Sequence, residues 1–128
     1  MTSFTFSHAE ADDWAGLAKS LADGLNAGPG NGGGDRLGFI YVTDMMAGEL
    51  GSILTDLRRT TGVEDWVGSV GIGICASGVE YFDRPAAVAM IASLAKDSFF
   101  VFPSLSNDIE DFPAEGKAWV DEMSAPFG

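Results

Sequence analysis

Few residues of this chain could do chemistry: Cys75, His8, the glycine pattern Gly71-Ile72-Gly73-Ile74-Cys75-Ala76, and the carboxylates Asp108, Glu110 and Asp111. The glycine pattern fits G-x-G-x-x-A, a variant of the dinucleotide fingerprint. That motif needs a helix at once behind it, so that pyrophosphate meets the helix N-terminus. Here Ser77-Gly78-Val79-Glu80-Tyr81-Phe82 follows and reads as strand, so the glycines are assigned to close packing and no cofactor is expected. Nucleophilic catalysis needs a nucleophile beside a base. The chain has no G-x-S-x-G elbow, and nothing in the spacing brings Cys75 and His8 together. His8 falls inside Ser7-His8-Ala9-Glu10, which has the S-x-x-E spacing of a capping box, and reads as an exposed residue at a helix start. Cys75 has apolar neighbours and reads as a small buried thiol. One histidine, one cysteine and scattered carboxylates make no metal-ligand set, and Asp108, Glu110 and Asp111 read as a solvated acidic loop. Neither a catalytic residue nor a metal ligand is expected, and the chain does not read as an enzyme.

The elements that must position these residues belong to a single domain, since 128 residues are enough for one core. The composition, 46% hydrophobic and 20% charged, is that of a globular fold. The net charge of −12 repels phosphate backbones and anionic lipid, so neither nucleic acid nor membrane is expected as a partner. A lone cysteine excludes an internal disulfide framework. The N-terminus lacks the basic region of a signal peptide, and the uncharged stretch Trp66–Val79 is too short and too glycine-rich to span a bilayer. A reducing cytoplasm is the expected location.

The first helix is expected behind the capping box, with Trp14, Leu17, Ala18, Leu21 and Leu25 at helical spacing and Gly28-Pro29 as its stop. Gly28 to Asp35, GPGNGGGD, reads as a surface loop. Leu37–Thr43 is a nearly continuous apolar run, the pattern of a strand buried on both faces. Asp44 offers an N-cap to a second helix whose stripe is Met46, Leu50, Ile53, Leu54 and Leu57. Arg58 and Arg59 suit its C-terminal dipole, and Gly62 closes it. Strand, helix and the following strand Trp66–Ile74 form a βαβ unit with a parallel pair.

In that last strand Trp66, Val70, Ile72 and Ile74 alternate with Val67, Ser69, Gly71, Gly73 and Cys75. The second side is almost bare, so a backbone, a helix or a ligand can approach it closely. Val79–Asp83 alternates as a strand. Pro85–Lys96 is open to two readings: alanine content and the leading proline favour a helix, whereas the alternation of Val88, Met90, Ala92 and Leu94 fits a hairpin arm. Ser98–Phe102 is a further strand candidate, and Gly116–Met123 a short helix carrying Trp119 and Val120.

Three blocks, FSHAEADDWAGLAKSLADGL, LGFIYVTDMMAGELGSILTDLRRTTGV and WVGSVGIGICASGVEYFDRPAAVAMIASL, stand in the order seen in the FIST (F-box and intracellular signal transduction) N-terminal domain, which the chain resembles from Phe4 to Leu94. The third block is the most specific: a strand ending in the Val67-Gly68 step, a small-residue segment, then a hairpin whose second arm is the Ala/Leu-rich Ala86–Leu94. The resemblance implies strand for that arm, against its helix propensity. It also implies a cytoplasmic sensory domain that binds amino acids or similar small metabolites and is coupled to a signalling output. Family members often carry a cysteine directly after the glycine, where this chain has Ser69, so no role of that thiol carries over. Members also continue through the rest of the domain and a second one, so the chain matches the first part of such a domain.

The expected fold is thus α/β, a mixed sheet with a parallel βαβ core, an antiparallel hairpin and helices packed on the sheet. The expected function is non-catalytic ligand sensing, with a protein-interaction or assembly module as the alternative. Gly68, Ser69, Gly71 and Gly73 are the candidate ligand-binding residues, because ligands favour the carboxyl ends of strands in open α/β sheets. A sheet that the rest of the chain does not fully cover gives reason to expect a homodimer.

Overall fold

A computed structural model describes residues 3–26, 35–102 and 114–124. The chain forms two compact units, Met1–Lys96 and Asp97–Gly128. The first is α/β. Its elements in order are β1 (Ser3–Glu10), α1 (Trp14–Asn26), β2 (Asp35–Thr43), a 3-10 turn (Asp44–Glu49), α2 (Leu50–Thr61), β3 (Asp65–Gly71), β4 (Gly73–Ala76), β5 (Val79–Phe82) and β6 (Ala86–Leu94). A four-stranded sheet runs in the order β1-β6-β2-β3, and β4 and β5 form a separate two-stranded sheet. The β2–β3 pair is parallel, as the βαβ pattern predicts. The pairs of β6 with β1 and with β2, and the β4–β5 pair, are antiparallel.

Ala86–Leu94 is a strand, although its alanines favour a helix, because both of its ladder sides are taken. Phe6 and Phe39 both stand opposite Met90, and Ser7 and Ile40 both stand opposite Ala89. This pairing also corrects the expected hairpin. With no free edge on β6, Val79–Phe82 cannot pair with it and pairs instead with Gly73–Ala76. The Asp83–Pro85 turn carries the chain from one sheet to the other. It is held by three hydrogen bonds: the Ala11 N–H donates to the Pro85 carbonyl at 3.1 Å, and the buried Thr43 hydroxyl donates to the Arg84 carbonyl at 2.6 Å and accepts the Ala86 N–H at 3.0 Å.

The core lies between the sheet and the two helices. Leu17, Ala18, Leu21, Ala22 and Leu25 of α1 and Ile53 and Leu57 of α2 meet Ile40, Val42, Ala87, Ala89 and Ile91 of the strands, with Met46, Val63 and Trp66. The start of α1 differs from expectation. Ser7 and Glu10 lie in β1, and no capping box forms there. Asp13 caps the helix instead, its carboxylate accepting the Gly16 N–H at 2.6 Å. Ser7 is buried beneath α1, so close that a Cβ on Gly24 would strike its side chain. Trp14 stays about a third exposed while the rest of the stripe is buried.

The second helix also begins differently. Asp44 opens a 3-10 turn that no side chain caps, and α2 starts only at Leu50. Its end follows the expected pattern: Gly62 adopts φ 75°, a left-handed geometry that glycine allows, and its N–H donates to the Arg58 carbonyl. Arg36 reaches from β2 to the Thr61 and Gly62 carbonyls at 3.3 and 3.2 Å, satisfying acceptors that the helix leaves open.

Two strand expectations need correction. β2 is not buried on both faces: Ile40 and Val42 lie in the core, whereas Phe39 is half-buried and Tyr41 is 44% exposed. The helices cover only one face of the sheet, and Phe39 and Tyr41 point to the other. Trp66–Ile74 is not one strand either. It breaks at Ile72, where the chain turns so tightly that a Cβ on Gly71 would lie 2.9 Å from the Gly73 carbonyl oxygen.

The second unit contains α3 (Ala114–Ser124), which includes the expected Gly116–Met123 helix. Phe100 packs its ring against Phe102 and Trp119, with centroids 5.2 and 6.0 Å apart. Ser98–Phe102 is therefore an irregular segment that gives its aromatic rings to α3, not the expected strand. The expected helix stop at Gly28-Pro29, the glycine loop up to Gly34, and Asp108, Glu110 and Asp111 lie outside the described residues.

Two glycines of this fold should respond oppositely to alanine. A Cβ on Gly68 would fall on the Ile40 carbonyl of the neighbouring strand, whereas one on Gly51 of α2 meets nothing within 4 Å. Gly68→Ala should destabilise by about 1–3 kcal/mol, and Gly51→Ala should stabilise by up to about 1 kcal/mol. Urea unfolding midpoints measure both.

Candidate functional site

Because α1 and α2 pack on one face, the side chains that alternate away from them define the other. Register places Phe6, Met90, Phe39 and Val67 in one row across that face, and His8, Val88, Tyr41 and Ser69 in the next. The β4–β5 hairpin lies against part of it, with Ile74 and Tyr81 buried beside Ala86 and Val88.

Ser69, Gly71 and Gly73, three of the candidate ligand-binding residues, line one cleft of about 270 Å³ with Tyr41, Val70, Ile74, Cys75 and Val88. A second cleft of about 540 Å³ shares Tyr41, Cys75 and Val88 with the first and extends to Phe6, Phe39, Ser77, Ala89 and Met90. Gly68 is not part of this lining. It stands in register with Ile40, and its lack of a side chain admits the neighbouring carbonyl. Gly73 has a packing role as well, since a Cβ there would lie 2.6 Å from the Phe82 ring across the hairpin. What approaches the bare strand side at Gly73 is thus the Phe82 ring of the paired strand and not a helix.

No lining residue of either cleft is charged. The walls are aromatic and aliphatic, with the hydroxyls of Ser69, Tyr41 and Ser77 and the thiol of Cys75 as polar points. The Ser69 hydroxyl donates to the Val70 carbonyl at 3.3 Å and is exposed. Cys75 is exposed, not buried as its neighbours suggest. In β4 it alternates with Ile74, which takes the buried side, and Cys75 lines both clefts. The tightness of the Ile72 bend could not be read from a run of apolar residues, so neither could this sidedness. Tyr41, Phe39 and Phe6 were also missed as lining residues. The signal that could have found them is the alternation of Phe39 and Tyr41 against Ile40 and Val42 within β2.

His8 does not lie at a helix start. It is part of β1, stacks on Phe6 with ring centroids 6.2 Å apart, and places Nδ1 2.6 Å from the Tyr81 hydroxyl. The hydroxyl donates when Nδ1 carries no proton. This bond joins the outer strand of the sheet to the hairpin that bounds the clefts. Among the described residues no three His, Cys, Asp or Glu side chains are grouped to hold a metal ion, and no helix is long and apolar enough to cross a membrane.

No family model, no curated protein and no solved structure matched the chain.

The His8–Tyr81 bond gives the hairpin a measurable anchor. Tyr81→Phe keeps the buried ring and removes the hydroxyl, which should lower stability by about 0.5–1.5 kcal/mol and raise the amide exchange rates of β4 and β5 more than those of the sheet. Denaturant melts and hydrogen exchange on the parent and the variant check this.

Proposed function

We propose that this chain is a non-catalytic, ligand-sensing domain that takes up a small molecule between the open face of its sheet and the β4–β5 hairpin. The observation that carries the reading is the convergence of Ser69, Gly71, Gly73, Tyr41, Cys75 and Val88 on one cleft that continues toward Phe6 and Phe39. Ligand sites are typically concave, mainly apolar and furnished with a few polar groups that set orientation. A sensory role in signal transduction follows the FIST resemblance of the three sequence blocks, which also supports coupling to an output protein and a cytoplasmic setting.

The lining narrows the ligand. An amino acid carries an ammonium and a carboxylate, and burying either against uncharged walls is unfavourable without a charged partner. The walls favour an uncharged, flat, largely apolar molecule with one or two hydrogen-bonding groups, such as a phenol or an indole, over a free amino acid. A second reading, a protein-interaction module, draws on the exposure of Phe4, Phe6 and Phe82 at 55, 51 and 63%.

A thermal-shift screen comparing uncharged aromatic compounds with free amino acids tests the proposal, because a ligand bound only by the folded state raises the melting temperature. A hit should lose affinity with Ser69→Trp, which places an indole in the cleft from an exposed position and should leave the melting temperature of the free protein nearly unchanged. Ser69→Ala should weaken it by about 0.5–1.5 kcal/mol if the hydroxyl bonds the ligand. A hit that binds parent and Ser69→Trp equally would place its site elsewhere.

A further inference from the structure

The sheet has two outer strands, β1 and β3, and they are not alike. β3 is seven residues long, contains Gly68 and Gly71, starts at Asp65 and bends away at Ile72. Short length, charge and a bend are the usual means by which proteins keep an edge from pairing with other chains. β1 is one residue longer, carries its single acidic residue only at its last position, Glu10, and has no glycine or bend within it. Ser3–Glu10 is eight residues long, and from Ser3 to Ala9 it holds no charged residue, proline or glycine. Only one side of β1 is paired among the described residues, with β6. Phe4 and Phe6 are more than half exposed beside it.

We propose that β1 joins two copies of this chain through an antiparallel β1–β1 ladder centred on Phe6, making one continuous sheet across a twofold axis. The occupant is a second copy because the strand is complementary to itself. Around Phe6 the residues read Thr5 and Ser7, then Phe4 and His8, then Ser3 and Ala9. In an antiparallel pair centred there, Thr5 meets Ser7 on the helix side, and on the open side Phe6 meets its counterpart while Phe4 meets His8. Such aromatic cross-strand pairs stabilise a ladder, and a self-complementary patch is what a twofold interface requires. Charge points to the same place. In a chain of net charge −12 two copies repel, and a contact surface that carries no charge adds least to that repulsion. Ser3–Ala9 is such a surface, and this register leaves Glu10, which faces Arg84 at 3.4 Å, outside the ladder.

Light scattering on the full chain should give twice the monomer mass. Phe6→Lys should give the monomer mass with an unchanged circular dichroism spectrum, because the side chain is exposed and a lysine on an edge opposes pairing. The register is tested in a Cys75→Ser background, which removes the native thiol. Phe6→Cys should oxidise readily to a linked dimer, since the two thiols would face each other. Phe4→Cys should link far more slowly, because its counterpart would lie four residues away, about 13 Å along the strand. A monomeric parent, a dimer that persists in Phe6→Lys, or equal linking at the two positions would each overturn the proposal.

Discussion

Every part of the first unit leans on the double pairing of Ala86–Leu94. The strand last to join in the chain stands in the middle of the sheet, bonded to Ser3–Glu10 on one side and to Asp35–Thr43 on the other. Two segments far apart in sequence are thereby brought to one pleated surface, and neither ladder forms without β6. The small side chains Ala87 and Ala89 fall on the face that α1 and α2 cover, where their size lets the helices sit close. An alanine-rich segment is a weak strand former in isolation. Here both ladders and a buried face act on it together, and tertiary context decides.

Placing β6 in the centre has consequences at its start. The chain that leads into it cannot form a hairpin with it, so Val79–Phe82 folds back on Gly73–Ala76 and the pair lies against the face that the helices leave uncovered. Thr43, Pro85 and Ala11 fix this crossing point through three hydrogen bonds, and the His8–Tyr81 bond fixes the far side of the hairpin. The clefts exist because a two-stranded hairpin is too small to cover four strands. The aromatic side chains of β1 and β2 extend past it.

The βαβ core was legible in the chain because three independent signals agree there: an apolar β-branched run, a helical stripe ending in Arg58 and Arg59, and Gly62 where a left-handed residue is needed. Ala86–Leu94 was recognised as a strand through the resemblance, but its partners were not, since ladder partners depend on topology and not on local pattern. β1 was missed altogether. Ser7 and Glu10 have capping-box spacing, yet the same residues also fit a strand that alternates Phe4, Phe6 and His8 with Thr5, Ser7 and Ala9. Short segments leave that choice to long-range pairing. The candidate site was legible in part. Ser69, Gly71 and Gly73 do line a cleft, because a bare strand side must admit something. Gly68 was grouped with them by sequence proximity although it serves the β2–β3 approach. Cys75 and Tyr41 were hidden because a continuous apolar run does not reveal which of its faces stays open.

β6 thus ties the sheet of the first unit together, and the β4–β5 hairpin is appended to it and should be the less stable layer. Native-state hydrogen exchange resolved by residue tests it most directly, because amides that open only on global unfolding report the global free energy and locally opening ones report less. The amides of Ala87 to Ser93 should exchange at the global unfolding free energy, and those of Gly73–Ala76 and Val79–Phe82 through a smaller opening. Exchange of β6 as fast as the hairpin, or a hairpin protected to the global limit while β6 opens locally, would contradict it.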